Sequence, residues 1–424
     1  MRREQSKPAV RRVQSPGTHV GCREVGSGMS IYEQLGVRTI INGVGPATRL
    51  GGTLMEPEVL AAMNEAARAF VKMDELQDAA GRAIREITGA EAGYVTSGAA
   101  AALALATAAC ITGVDPVKIN RLPDTQGMRN EVIILRAHRY DYDHAIRSVG
   151  AQLVEVGFPD LTFPYELETA ITDRTAAIAY YPVRSRPGLP LVDVLHIAHR
   201  HDVPVIVDAA LEVPPVQNLQ AYVRLGADLV AFSGGKAIGG PQASGFVCGR
   251  ADLIEAVALH HQDMDVRPQT WTYRAKMESG HLQGPPHHGI GRSMKVGKEE
   301  VVGLIAALRR YVRLDHVALR SGWLEKLSRI QKELRNTHGL HVTIVEAPPS
   351  GMDVPYAVVK LDEVVLGVTA YQLLARLQEC DPPICLNEEL AWQGAVAISP
   401  MTLRDNEEVI IARAIARAVS SGTR

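Results

Sequence analysis

One segment concentrates residues that can do chemistry: VIVDAALEVPPVQNLQAYVRLGADLVAFSGGKAIGGPQASGFVCGR, from Val205 to Arg250. It reads as a strand ending in Asp208, a helix, a second strand, and then Ser233-Gly234-Gly235-Lys236. Asp208 and Lys236 thus fall at the carboxyl ends of neighbouring strands, the edge of an open α/β sheet where ligands bind. Gly234, Gly235, Gly239 and Gly240, with Ala237, frame the lysine. So little side-chain bulk lets a flat cofactor approach the backbone. A lysine amine can form a Schiff base with pyridoxal 5′-phosphate, and an aspartate can keep the pyridine nitrogen protonated. When substrate displaces it, Lys236 is free to act as general base at the substrate α-carbon. Taken singly, a loop lysine is usually solvated and an aspartate before a helix is usually a cap. The pairing at adjacent strand ends, with the glycine framing, is what points to catalysis.

A cofactor phosphate needs its own cradle. Tyr94-Val95-Thr96-Ser97-Gly98-Ala99 reads as a strand, a Ser-Gly turn and the start of an Ala-rich helix. Free N–H groups at that start favour an anion, and Ser97 adds a hydroxyl; an ordinary N-cap has the same sequence. We take Ser97, Gly98 and Ala99 as phosphate contacts and Ser233, beside the lysine, as a further cofactor contact. Arg136 to His144, RAHRYDYDH, follows another strand. His138, nearest that strand, is the candidate to stack on the cofactor ring, against an even alternative as an ordinary histidine. Gly289 to Lys298 is basic and glycine-rich, so Arg292, Lys295 and Lys298 are candidate phosphate ligands or, equally, a solvated basic loop. Arg49, in the glycine-rich stretch Asn42–Gly52, can clamp a substrate carboxylate, although a solvated turn arginine has the same appearance. His281, His287 and His288 lie in a Gly/Pro-rich loop without cysteines or paired acids at ligand spacing, so a substrate lid is expected there and no metal.

These residues need a scaffold. Strands are predicted at Ala92–Thr96, Glu131–Leu135, Gln152–Val156, Ala176–Tyr181, Pro204–Val207, Leu229–Phe232 and Gly245–Cys248. Helices are predicted at Pro57–Lys72, Leu76–Thr88, Ala99–Thr112, Val192–His201 and Leu219–Leu225. Short apolar strands alternating with helices imply an α/β, mostly parallel sheet covered on both faces. A linking helix, Lys298–Arg313, leads to a smaller α+β part with strands His341–Glu346, Tyr356–Lys360 and Ala395–Ile398 and helices Tyr371–Glu379 and Asn406–Val419. The expected division is a basic, aperiodic arm over 1–30, a large domain over 31–300 and a small C-terminal domain over 301–424.

Composition excludes several function classes. The 424 residues carry 45 Lys and Arg against 47 Asp and Glu, a net charge of −2, so no global basic excess draws nucleic acid or an anionic membrane. Aromatic residues are 5%, too few for a base-stacking platform. Five cysteines, an odd number without CxxC spacing, predict reduced thiols in a cytoplasmic protein. The uncharged stretch Ala92–Val114 is rich in Ala, Gly, Ser and Thr, and reads as a buried helix after a tight turn rather than a membrane span.

Four motifs carry a resemblance: GADLVAFSGGKAIGGPQASGFVCG (Gly226–Gly249), YVTSGAAAAL (Tyr94–Leu103), VGAQLVEVG (Val149–Gly157) and GIGRSMKVGKEE (Gly289–Glu300). The chain resembles the selenocysteine-synthase-like family of pyridoxal-phosphate enzymes, especially its D-glucosaminate-6-phosphate ammonia-lyase branch, over about Ile31 to Leu308 and more weakly beyond. The resemblance implies fold type I, the aspartate-aminotransferase architecture. It implies Lys236 as Schiff-base lysine, Asp208 as pyridinium partner and the Ser97–Ala99 turn as phosphate contact. It also implies at least a dimer with sites at the subunit interface, across which Arg292, Lys295 or Lys298 would reach. Selenocysteine synthases carry an N-terminal tRNA-binding domain, whereas about thirty aperiodic residues precede Ile31 here, so no tRNA partner is expected. The expected activity is a lyase on a small, β-hydroxy amino acid or amino sugar acid. Lys236 takes the α-proton, an acid such as His138 or Tyr142 protonates the leaving hydroxyl, and a 2-oxo acid and ammonia result. A racemase, an epimerase or an aldolase would use the same Lys and Asp; selenium transfer to seryl-tRNA is the third reading.

Overall fold

The computed structural model describes residues 29–182, 188–348 and 351–420; the expected basic arm therefore lies outside the described residues except for its last two positions. Met29 to Thr39 belong to a separate compact unit. Its one helical turn, Ile31–Gln34, starts at Ser30, whose hydroxyl accepts from the Glu33 amide while the Glu33 carboxylate accepts from the Ser30 amide.

From Ile40 onward the chain forms one compact unit. Strand β1 (Ile41–Gly43) is followed by the seven strands of the main sheet: β2 (Ala92–Thr96), β3 (Glu131–Leu135), β4 (Gln152–Val156), β5 (Thr175–Tyr180), β6 (Val205–Asp208), β7 (Leu229–Ser233) and β8 (Gly245–Gly249). Their order is β2-β8-β7-β6-β5-β3-β4. All neighbouring pairs are parallel except those of β8, which runs antiparallel to β2 and β7. The carboxyl ends of β2, β3, β5, β6 and β7 therefore share one edge, as an α/β sheet buried on both faces requires. Val, Ile and Ala dominate the central strands because neither face of these meets water, whereas β4, at the sheet edge, exposes Gln152 and Glu155. Ile133, Val205 and Val230 pack in the core on one side, and Val132, Ile206 and Ala231 in the core on the other.

The stretch that imitates a membrane span is β2 followed by the helix Ala99–Thr112, whose residues are nearly all buried against the sheet. No helix among the described residues is long and apolar enough to cross a membrane. The helix predicted over Pro57–Lys72 stops at Ala66, and the next begins at Met73 rather than Leu76. Arg68 to Lys72 are exposed, so no apolar face holds them on a helix, whereas Asp74 and Glu75 suit the positive end of the second helix.

Beyond the linking helix Lys298–Arg313 and the helix His316–Leu334 come β9 (Leu340–Val345), β10 (Tyr356–Leu361), β11 (Ile384–Leu386) and β12 (Ala395–Ile398). β12, β10 and β9 make an antiparallel sheet with its own core of Leu327, Val359, Leu373 and Ile411. β1 pairs in parallel with β11, and Ile41 joins that C-terminal core. The segment after β1 is thereby fastened between the C-terminal sheet and the edge of the main sheet.

Candidate active site

Asp208 ends β6 and lies opposite Ala231 of β7, five residues before Lys236. The turn after β7 is held tight: the Gly234 amide donates to the Ser244 carbonyl at 2.9 Å and the Gly240 amide to the Gly234 carbonyl at 2.9 Å. A Cβ on Gly235 would stand 2.6 Å from the Gln242 backbone, so only glycine fits there. Asp208 is 5% exposed. Burial pushes its carboxyl above the usual range, while Tyr140, the Ala210 amide and the Lys236 charge pull it back. Burial likewise lowers the Lys236 ammonium, and the Asp208 charge opposes that. The two groups thus sense each other's charge: a buried acid and a half-buried amine beside adjoining strand ends.

Asp208 is held on both oxygens. The Ala210 amide donates to Oδ1 at 3.0 Å, and the Tyr140 hydroxyl donates to Oδ2. Tyr140 comes from the loop after β3, and its ring stacks on Tyr181, just past β5, at 4.4 Å and 4°. His138 lies deeper: it is 1% exposed, with its ring edge-on to Tyr180 at 4.6 Å. Tyr142 is largely exposed, with its ring 5.9 Å from that of Tyr140. The sequence marked this loop as a carrier of rings at the sheet edge, yet it did not distinguish Tyr140 as the residue that meets Asp208. Neither composition nor spacing tells which of three neighbouring rings crosses two strands.

The Ser97 turn meets the lysine turn through Gly245. A Cβ there would stand 2.7 Å from the Gly98 carbon and 2.8 Å from the Ala99 nitrogen. Gly98 has φ 128°, a conformation open to glycine, and it opens the helix Ala99–Thr112. Ser233 pairs with Gly245 and so stands at the same junction. Ser97, Arg292 and Lys295 of the one chain line a cleft of about 910 Å3. The Ser97 hydroxyl donates to the Met294 carbonyl at 2.9 Å, and Arg292 pairs with Asp263 at 3.3 Å. Lys298 pairs with its neighbour Glu299.

Arg49 occupies a short 3-10 turn, Thr48–Leu50, that packs on the lysine turn. The Thr53 hydroxyl donates to the Lys236 carbonyl at 2.8 Å, the Gln242 side-chain Nε2 donates to the Thr48 carbonyl at 2.7 Å, and a Cβ on Gly52 would stand 2.7 Å from the Gly235 carbonyl. Arg49 itself faces Glu388 at 3.8 Å, both more than half exposed. The three loop histidines serve different neighbours: His281 contacts Glu255 at 2.8 Å, His288 contacts Asp265 at 3.3 Å, and the His287 amide donates to Asn120. The described cysteines, Cys110, Cys248, Cys380 and Cys385, are free thiols.

The residues present fit pyridoxal 5′-phosphate. A half-buried lysine amine, a buried carboxylate on the next strand, and a helix start that only glycines can bring so close supply the amine, the ring partner and the phosphate cradle. Comparison with known proteins agrees. A D-glucosaminate-6-phosphate ammonia lyase of Salmonella typhimurium is 34% identical over 389 residues, covering 90% of this chain and 96% of that one. A 5′-C-glycyluridine monooxygenase-decarboxylase of a Streptomyces species is 33% identical, covering 92% of each. The solved structure of a D-glucosaminate-6-phosphate ammonia-lyase superposes with a TM-score of 0.77 at 32% identity, over 93% of this chain and all of that one. The fold is that of the type I pyridoxal-phosphate enzymes. The family model described as SelA, L-seryl-tRNA selenium transferase, matches residues 40–267, and with relatives of this likeness along nine-tenths of its length the chain belongs to that family of pyridoxal-phosphate enzymes.

Proposed function

We propose that the protein is a lyase that takes a small amino acid or amino sugar acid to a 2-oxo acid and ammonia, by removal of the α-proton and loss of a β-substituent. The observation that carries this reading is the half-buried Lys236 beside the buried Asp208, in a chain that resembles an ammonia-lyase over nine-tenths of its length. Pyridoxal phosphate, when bound, holds the substrate amine and draws electrons from its α-carbon. Lys236 Nζ removes the α-proton; burial lowers its affinity for protons and so leaves more of it as the free base. Asp208 keeps a proton on the cofactor ring nitrogen, with its own oxygens held by Ala210 and Tyr140. Ser97, Gly98, Ala99, Arg292 and Lys295 hold the phosphate, and Ser233 lies beside them. The β-hydroxyl leaves as water with a proton from an acid, and water re-enters to release ammonia. Of the two candidates for that acid, Tyr142 is exposed and His138 is buried with its ring edge-on to Tyr180. Arg49, carried on the turn that packs over Lys236, meets the substrate carboxylate.

A second reading has its own support in the near-equal likeness to a monooxygenase-decarboxylase. One screen separates the readings. Amino acids and amino sugar acids are offered to the enzyme in deuterated water. Equal release of 2-oxo acid and ammonia supports the lyase. Deuterium at the α-carbon without a 2-oxo acid means racemisation or epimerisation, an aldehyde means aldol cleavage, and oxygen uptake with carbon dioxide means the second reading. We propose a homo-oligomer without a tRNA partner. Sedimentation tests the first point, and salt-dependent retention of seryl-tRNA would overturn the second.

A further inference from the structure

The Gly289–Lys298 segment carries Arg292 and Lys295 to the cleft that Ser97 lines, and one buried side chain fastens it there. His261 is 7% exposed at the end of the helix Ala251–His261. Its Nε2 lies 3.0 Å from the Met294 carbonyl, and its Nδ1 lies 3.0 Å from the hydroxyl of Tyr94, itself 4% exposed on β2. A carbonyl only accepts, so Nε2 carries the hydrogen and Nδ1 accepts from Tyr94. Both ring nitrogens are thereby engaged in the neutral form. Burial, together with the nearby Arg292 charge, disfavours the protonated one. The Met294 carbonyl accepts a second hydrogen bond from Ser97. Close backbone contact completes the fastening. A Cβ on Gly289 would stand 2.6 Å from the His260 Cα, and one on Gly291 would stand 2.8 Å from the His260 carbonyl. Tyr94, Ser97, His261, Arg292 and Lys295 all line the same cleft.

We propose that His261 is a positioning residue for the anion-binding end of the site: it ties the Met294 carbonyl to β2, and so sets where Arg292 and Lys295 stand relative to the Ser97 turn. The inference rests on the reading that this turn and these cations receive the cofactor phosphate. Because the Ser97 hydrogen is committed to Met294, Ser97 belongs to the fastening as well as to the turn. The negative charge of the ligand then falls on the Ala99 helix start and on the two cations.

The test uses the full chain stripped of cofactor, with pyridoxal phosphate and pyridoxal as separate probes and quenching of protein fluorescence as the readout. His261→Gln keeps a donor in reach of Met294, whereas His261→Asn is too short to supply one. A charge-positioning hydrogen bond predicts that His261→Asn weakens pyridoxal phosphate about tenfold, that His261→Gln stays within about threefold of the native chain, and that neither changes pyridoxal binding. Equal weakening of pyridoxal, or native affinity in His261→Asn, overturns the proposal. Arg292→Ala/Lys295→Ala tests the underlying reading separately. If that pair binds pyridoxal phosphate as the native chain does, the phosphate assignment fails; if it binds weakly while His261→Asn does not, the assignment stands and only the positioning role is lost.

Discussion

The Tyr140 hydroxyl donates to Oδ2 of Asp208, while the Ala210 amide donates to Oδ1. The bond crosses from the loop after β3 to the end of β6, with Tyr181 beneath the Tyr140 ring. It counters the burial that raises the Asp208 carboxyl. A buried aspartate that must stay ionised against a ring nitrogen needs such a donor.

Tyr140→Phe removes the donor and keeps the stacked ring. The Asp208 carboxyl then climbs further, and the acid limb of kcat/KM moves to higher pH. A hydrogen bond to a charged group is worth about 1.5–3 kcal/mol, so kcat/KM falls about ten- to hundredfold. An unmoved acid limb would leave Tyr140 as packing alone.

Asp208→Asn tests the other half of the pair. The Asp208 charge holds the proton on Lys236 against burial, so its removal lowers the Lys236 pKa further. Borohydride trapping of added pyridoxal phosphate should then reach half its maximal rate at lower pH, and peptide mapping should place the label on Lys236. Turnover should fall severely while the cofactor stays bound. Full turnover in Asp208→Asn would reduce Asp208 to a helix cap.

Much of this site was legible because it is written in local signals. Asp208 ends one strand and Lys236 follows another, both with apolar runs that stand out, and Gly234, Gly235 and Gly239 mark the turn without reference to any other part of the chain. β2, β3 and β4 have the bounds that their patterns predict. Tyr140 and His261 were not legible, since each acts through a partner 68 or 33 residues away, and a tyrosine or histidine carries no periodicity of its own. β1 and β11 escaped for the same reason: three residues each are too few to form a pattern, and each is a strand only because the other lies beside it.

Gly245→Ala probes the junction of the lysine and phosphate turns. The new Cβ meets only backbone: the Phe232 carbonyl at 2.6 Å, with the Gly98 carbon and the Ala99 nitrogen just beyond. No side chain can swing aside, so either β8 shifts or the helix start does. The expected result is a destabilisation typical of overpacking, about 1–3 kcal/mol, seen as a lower melting temperature, together with weaker binding of pyridoxal phosphate. Native affinity for the cofactor in a folded variant would separate the Ser97 turn from the phosphate.

The helix end that carries His261 also carries an acid-sensitive group. His260 is fully buried, with Nε2 2.8 Å from the Thr112 hydroxyl, and burial holds its pKa down to about 4. The unfolded chain has the ordinary value near 6.5, so between these limits it binds more protons than the native chain does. His260 therefore contributes stability that is fully present above about pH 6.5 and is lost as pH falls toward 4, by roughly 3 kcal/mol in all. His260→Gln keeps a donor for Thr112 and cannot titrate. Urea unfolding of the native chain and the variant at pH 7, 5 and 4 measures the difference, and the native chain should lose more stability on acidification. Gly289 and Gly291 lie against the backbone of this residue, so the native chain should also release pyridoxal phosphate over the same interval, and His260→Gln should release less. Parallel acid profiles in the two proteins would acquit His260 and put the loss on other groups.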